Sequence, residues 1–209
     1  MLLAIIACIV AGYILGGFNG AILISNWFHR EDVRQKGSGN AGLTNFFRSY
    51  GGVDSLLVIV IDAGKTVLAC FIGGWILRGI DPDMTQTGQM LCGAAAVIGH
   101  VFPVLFRFHG GKGILPSAAL AAFMDWRAFL ICLVLFALTL AVSRYVSLGS
   151  ILACVAYPFL FWWRFSHNWA VVVIAFSLAA LAIYMHRSNI VRLINGTETK
   201  FSFHKRSQS

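Results

Sequence analysis

Charge is scarce in this chain, and negative charge is the scarcer sign: 11% of its 209 residues are Asp, Glu, Lys or Arg, and only 8 are acidic. A soluble fold of this size could not bury the 58% of residues that are hydrophobic. The few carboxylates form no DxxD or DxxxD cluster in the polar loops, which counts against transferases that hold Mg²⁺ on paired acids and predicts no metal requirement. Cysteine is sparse as well. Cys8, Cys70, Cys92, Cys132 and Cys154 each lie in a separate apolar run without metal-ligand spacing, so they read as small buried hydrophobes. No basic residue precedes the first apolar stretch, which is too long for a signal-peptide core and predicts an uncleaved first span. Linkers, low-complexity tracts and internal repeats are missing too. Residues 1–209 therefore read as one integral-membrane domain, with a variable, solvated cytoplasmic tail from about residue 197.

What is present is apolar and basic. Mean hydropathy is +0.78 and the formal charge is +8, which points to anionic headgroups or anionic substrates ahead of nucleic acid. A helix needs about 20 apolar residues to cross roughly 30 Å of hydrocarbon. The predicted helices lie at 2–27, 54–78, 87–106, 114–124, 126–143, 147–163 and 168–187, giving an all-α polytopic membrane protein with about seven transmembrane helices. The fourth is short and covers only about 16 Å. If all seven cross, Arg30, Arg34, Lys36, Arg48, Arg107, Lys112, Arg144, Arg187, Arg192, Lys200, Lys205 and Arg206 share one side, against Arg78, Arg127 and Arg164 on the other. The positive-inside rule then puts the N-terminus outside and the C-terminus in the cytoplasm. Every glycine-rich loop falls on the cytoplasmic side in the same arrangement. Gly12, Gly16 and Gly20 form overlapping small-xxx-small patterns, read as close helix packing.

Four polar segments carry the chemistry. The longest runs Gly37-Ser38-Gly39-Asn40-Ala41-Gly42-Leu43-Thr44-Asn45-Phe46-Phe47-Arg48. Glycines let backbone N–H groups form an anion nest, Ser38, Asn40, Thr44 and Asn45 add donors, and Arg48 can bind phosphate bidentately. Its GxGxxG spelling is not a dinucleotide fingerprint, because no strand precedes it. The second segment ends in Gly110-Gly111-Lys112-Gly113 before a new helix, whose free N–H groups and positive dipole end favour an anion beside Lys112. It is not a Walker A loop, since Gly113 occupies the position that motif gives to Ser or Thr. Gly64-Lys65-Thr66 is a similar decoy inside an apolar helix, and Asp62 with Lys65 reads first as an internal ion pair.

In the third segment, Arg144 to Ser150, Ser147 reads either as a helix N-cap or, with Ser150, as a substrate contact. The fourth, His186-Arg187-Ser188-Asn189, puts His186 and Asn189 one turn apart on one helix face.

These four segments, in this order, resemble the bacterial acyl-phosphate-dependent glycerol-3-phosphate acyltransferases of the PlsY type, over nearly the whole chain. The resemblance implies transfer of an acyl chain from acyl phosphate to the 1-hydroxyl of sn-glycerol 3-phosphate, releasing phosphate and lysophosphatidic acid, at the cytoplasmic face of a bacterial membrane. It implies no cofactor, an acyl-phosphate-producing enzyme upstream, and a protein surrounded by membrane lipids. Carried over, Ser38 and its neighbours Gly37, Gly39 and Gly42 would hold the acyl phosphate, and Arg48, Lys112, His186 and Asn189 would bind glycerol phosphate, with Ser147 or Ser150 assisting. Ser38, Arg48, Lys112 and His186 would be the catalytic set, and Asn40, Thr44, Asn45, Gly110, Gly111 and Gly113 would contact substrate without a fixed split between the two. His186 ranks first as a ligand and second as a base, the substrate's own phosphate taking the hydroxyl proton. Ala41, Leu43, His109, Gly149 and Ser188 depart from the family pattern, and of these only His109 removes a cation.

Two other readings compete. An acyl-CoA-dependent transferase would show His-x4-Asp, and none of the six histidines has Asp five positions later. A small anion transporter or channel would leave polar residues along its whole path, whereas here they gather at one face.

Overall fold

In hydrocarbon a backbone must satisfy its own N–H and C=O groups, and these sequences do so as helices. The computed structural model describes residues 1–201, and all regular elements among them are helical. They are α1 (Leu2–Gly16), α2 (Gly20–Ile24), α3 (Leu43–Tyr50), α4 (Asp54–Arg78), α5 (Thr85–Val101), α6 (Ile114–Met124), α7 (Trp126–Ser143), α8 (Val146–Phe165), α9 (Trp169–Met185) and α10 (Arg187–Ile194). Among the described residues five stretches are long and apolar enough to cross a bilayer, and α9 with α10 would make a sixth if that bent pair is one span.

α1, α4 and α5 pack together through glycine. A Cβ on Gly12 would lie 2.2 Å from the Cys92 carbonyl oxygen, and one on Gly16 would lie 2.0 Å from that of Ala96. The small-residue pattern is therefore a packing seam, as the sequence predicts. A second layer of α6, α8 and α9 closes over Met90 and Val97 of α5 with Leu120, Phe161, Phe165 and Leu178. Outward faces carry exposed apolar side chains such as Leu3, Val60, Phe71 and Val142, which suits lipid contact. Cys8, Cys70 and Cys92 are buried, and all five cysteines are free thiols.

The structure departs from the predicted helices in four places, the first being α3, a helix over Leu43–Tyr50 where only a polar connection is predicted. The stretch expected as one helix over 2–27 is broken: α1 stops at Gly16, Asn19 caps α2 by accepting from the Ile22 N–H (3.1 Å), and Ser25–His29 continues as a π-helical turn. The third helix ends at Val101 rather than 106, because Pro103 cannot continue the ladder and Val104–Phe106 forms a separate tight turn. The last helix ends at Met185, and a 55° bend there leads into α10.

Short α6 joins the two ends of the bundle. Lys112, just before it, is hydrogen-bonded to Asn189 beside α8's start, whereas Asp125, just after it, pairs with Arg164 near α8's end at 2.8 Å. Ser147 and Arg164 stand roughly 26 Å apart along α8 at 1.5 Å per residue. Extended backbone at Asp125 adds to the reach of the eleven helical residues. Exposed Trp75, Trp126, Trp162, Trp163 and Trp169 gather at the Asp125 end, as aromatic side chains do at a membrane–water interface.

Candidate functional site at the loop end of the bundle

The first loop is built on left-handed glycines and one buried amide. Gly37 and Gly39 have φ of +56° and +72°, which a side chain would strain. Asn45, a predicted substrate ligand, instead turns inward: its Oδ1 accepts from the Ser38 N–H (2.9 Å), and its Nδ2 donates to the carbonyls of Val33 (3.1 Å) and Lys36 (3.0 Å). The Gly39 N–H is likewise taken, by the Lys36 carbonyl. The anion nest expected from the glycines is thus partly used up in shaping the loop. What the loop offers outward is the exposed Ser38 side chain, with Asn40 and Gly42 leading into the first turn of α3 at Leu43 and Thr44, where N–H groups have no preceding helical carbonyl. Arg48 lies in the last turn of α3.

Arg34 ties this loop to the next. Its guanidinium pairs with Asp32 at 2.7 Å and donates to the carbonyls of Phe106 (2.9 Å) and His109 (3.2 Å). In the second loop the N–H groups of Gly110 and Gly111 bond back to the carbonyls of Val101 (3.1 Å) and His100 (3.2 Å), and Gly113 sits at φ +80°. That fold-back presents Lys112 at the start of α6, where Nζ donates to Asn189 Oδ1.

Around Lys112 the structure brings together Asn189, Ser147, Arg192 and a residue the sequence reading did not single out, Glu198. One Glu198 oxygen accepts from Ser147 Oγ (2.7 Å) and Asn189 Nδ2 (2.8 Å), and the other accepts from Arg192 Nε (2.7 Å). Its side chain is only 7% exposed. The tail expected to be solvated from residue 197 is instead anchored at Glu198 and Phe201, while Thr197, Thr199 and Lys200 are exposed as expected. Thr199 accepts from Arg48 Nη2 (3.3 Å), and Phe201 stacks on Phe47 and bonds through its N–H to the Arg144 carbonyl (2.7 Å). The rest of that tail, with Lys205 and Arg206, lies outside the described residues. The available clue was a lone carboxylate, six residues beyond Arg192, in an otherwise basic end.

Ser147 and Ser150 take separate paths. α8 starts at Val146 with no side-chain cap, so Ser147 is not the N-cap that was one reading of it; its hydroxyl faces Glu198. Ser150 bonds back to the Val146 carbonyl (3.0 Å) and faces the apolar interior. It does not join the cation cluster. His186, buried at the α9–α10 bend, has Nδ1 2.7 Å from the Ala182 carbonyl, which fixes the ring proton on Nδ1 and leaves Nε2 as the acceptor.

Burial, the charge of Arg192 and that of Arg48 lower the Lys112 pKa to about 8 against the opposing pull of Glu198. Burial likewise lowers that of Arg48. Burial raises the Glu198 carboxyl, but hydrogen bonds from Ser147, Asn189 and Arg192 outweigh it and hold the group below its ordinary value.

Beside this polar cluster lies an apolar cavity of about 100 Å³ between α6, α7, α8 and α9. Its near end is Ile114, Ser150 and Ala182, each within a turn of Lys112, Ser147 or His186, and its far end includes Phe129 and Tyr157.

A helical bundle with lipid-suited outer faces that gathers cations, amides and a hydroxyl at one end, against an apolar cavity, has the form of an integral membrane protein with a polar site at one end of its helices. A family profile for glycerol-3-phosphate acyltransferases matches residues 6–196, and the chain belongs to that family, in its PlsY branch. Relatives of that description from Finegoldia magna and Chlorobaculum tepidum are 37% and 35% identical, over 90% and 99% of this chain and 91% and 100% of theirs. Among solved structures, the crystal structure of PlsY (YgiH), an integral membrane glycerol 3-phosphate acyltransferase, is similar in its glycerol 3-phosphate form, with a TM-score of 0.84 at 30% identity over 95% of this chain and 96% of that one. Its lysophosphatidic acid form gives 0.82 at 28%, over 96% and 97%.

Proposed function

We propose that the enzyme transfers an acyl chain from acyl phosphate to the 1-hydroxyl of sn-glycerol 3-phosphate, giving lysophosphatidic acid and inorganic phosphate, with no metal and no cofactor. The observation that carries this reading is the junction of the Lys112–Asn189–Ser147–Arg192 cluster with the apolar cavity that begins at Ile114. An acyl phosphate and a lysophosphatidate each need both halves. Glycerol phosphate binds through Lys112, Arg48, His186 and Asn189. The acyl phosphate headgroup lies against Ser38 and the start of α3, with its chain in the cavity.

The step balances without a protein base. The glycerol hydroxyl oxygen attacks the acyl carbonyl carbon, the bond from that carbon to the phosphate oxygen breaks, and phosphate leaves with the electron pair. The hydroxyl proton passes to a phosphate oxygen. The protein's part is to hold two anions in reacting contact and to stabilise the charge that develops on oxygen. His186 fits this as a ligand, its Nε2 accepting from the glycerol hydroxyl that does not react.

The chemistry takes place at the cytoplasmic face, with seven crossings, the N-terminus outside and the C-terminus inside. The end-to-end path of α6 supports its crossing, and the excess of Lys and Arg in the loops at the Lys112 end supports the orientation. A cytoplasmic enzyme that makes acyl phosphate supplies the donor.

Purified protein incubated with labelled glycerol 3-phosphate, chelator and either acyl phosphate or acyl-CoA tests the reading. Lysophosphatidate is expected from acyl phosphate alone. Product formed only from acyl-CoA, or only when Mg²⁺ is restored, overturns it.

A further inference from the structure

A second cluster of ionisable groups lies behind the two loops, on helices rather than in the site. Lys65 Nζ on α4 donates to Asp62 Oδ1 (2.7 Å) and to the Phe18 carbonyl (2.9 Å), and lies 3.1 Å from His100 Nδ1 on α5. Those three acceptors use all three ammonium donors. Phe18 belongs to the break between α1 and α2, so Lys65 satisfies a carbonyl that the broken helix leaves free in an apolar setting. Asp62 Oδ1 also accepts from the Gly20 N–H (3.0 Å) at the start of α2. All of these side chains are nearly fully buried.

The cluster reaches both loops. Asn19 lies 3.5 Å from His100 Nδ1 through its Nδ2, and the same Nδ2 donates to the Ala41 carbonyl of the first loop (3.0 Å). On the other side, an ammonium only donates, so His100 Nδ1 accepts from Lys65 and the ring proton sits on Nε2, the edge that faces Gly111 of the second loop. A Cβ on Gly111 would lie 2.2 Å from that Nε2 and 2.8 Å from the Ala41 oxygen. Gly111, His100 and Ala41 therefore meet at one point, where the two loops touch.

We propose that Asn19 and His100 are positioning residues that set the separation of the two phosphate-handling loops, with Asp62 and Lys65 fixing the imidazole. This rests on the reading that each loop holds one of the two substrates. Each loop could then keep its own anion while the reacting atoms drift apart, and a misplacement of about 1 Å costs on the order of a hundredfold in rate.

The test is steady-state kinetics on Asn19→Ser, His100→Leu and His100→Gln in purified, monodisperse protein, alongside melting temperatures. Serine keeps an oxygen to cap α2 but lacks the second polar arm, the amide N–H that reaches Ala41. Glutamine keeps both an acceptor for Lys65 and a donor. Asn19→Ser and His100→Leu are expected to lower kcat about a hundredfold with KM for either substrate within about threefold, and His100→Gln to recover at least about tenfold. A purely structural role would instead lower kcat only in step with folded protein and melting temperature, without rescue by glutamine. That pattern, or wild-type kcat in Asn19→Ser, overturns the proposal. If His100→Leu does not fold, Asn19→Ser decides. Failure of the donor assignment is visible separately, in the wild type, and the variants are then scored with whichever donor the wild type uses.

Discussion

Lys112, at the tip of the Gly-Gly-Lys-Gly turn, donates to the side-chain oxygen of Asn189, 77 positions further along the chain. The contact joins two segments that the sequence reading had placed in one site on resemblance. Replacing Lys112 with Ala is expected to lower kcat/KM for glycerol 3-phosphate at least about a hundredfold, equivalent to roughly 2.7 kcal/mol, while the protein still purifies as a folded species. Near-wild-type turnover would make Lys112 a structural residue.

The same lysine sets an alkaline limit. Its pKa of about 8 in the free enzyme means that the charge proposed to bind phosphate is full well below that pH and is lost as pH rises through it. The kcat/KM profile for glycerol 3-phosphate is therefore expected to fall above about pH 8. A bound phosphate favours the charged form, so the corresponding limb of kcat lies higher. In Lys112→Arg, whose side chain stays charged, the limb should vanish; its persistence assigns it to another group.

Glu198 couples the tail to pH-dependent stability. Its folded-state pKa is depressed, so the stabilisation is present above the unfolded carboxyl value of about 4.3 and is lost as pH falls through the lower folded value. Glu198→Ala should lower the melting temperature at pH 7 by several degrees, since it strips partners from Ser147, Asn189 and Arg192 together. The loss should shrink in acid. A melting temperature equal to wild type at neutral pH would mean that the tail contact contributes nothing.

Ala153 lines the apolar cavity about one turn beyond Ser150. Ala153→Phe is expected to fill that space and reduce transfer from long-chain acyl phosphates about tenfold or more, leaving a short-chain donor within about threefold. Equal losses across chain lengths would place the acyl group elsewhere.

Whether α6 crosses the membrane can be read from single cysteines at Arg107 and Arg127, exposed residues on either side of it, in a background lacking the native thiols. An impermeant maleimide applied to intact cells should label Arg127→Cys at once and Arg107→Cys only after permeabilisation. Labelling of both from one side removes the seventh crossing.

Much of this molecule is legible without coordinates, because some physical signals are local. Hydropathy runs of 18 residues or more report helices whichever neighbours they find, and α4 and α7, with the shorter α6, begin and end where the sequence predicts. Two oppositely charged residues three apart in a helix must share a face, which is why the Asp62–Lys65 pair was foreseeable. His100 as their third member was not, because nothing in the sequence tells α5 how to rotate against α4.

The loops divide along the same line. Glycine spacing identified the two turns and Lys112 within the second, since turn chemistry is written in consecutive residues. Side-chain direction was not: Asn45 has the composition of a ligand but braces its own loop, and Ser150 bonds within α8 while Ser147, one turn earlier, reaches the tail. The sequence by itself determined a helical membrane protein with basic, glycine-rich loops, because hydropathy and turn residues act over a few positions. Only the tertiary structure decided that Glu198 returns to the site and that Asn19 breaks the first helix to brace Ala41, because those contacts join residues 22 to 51 positions apart through packing alone.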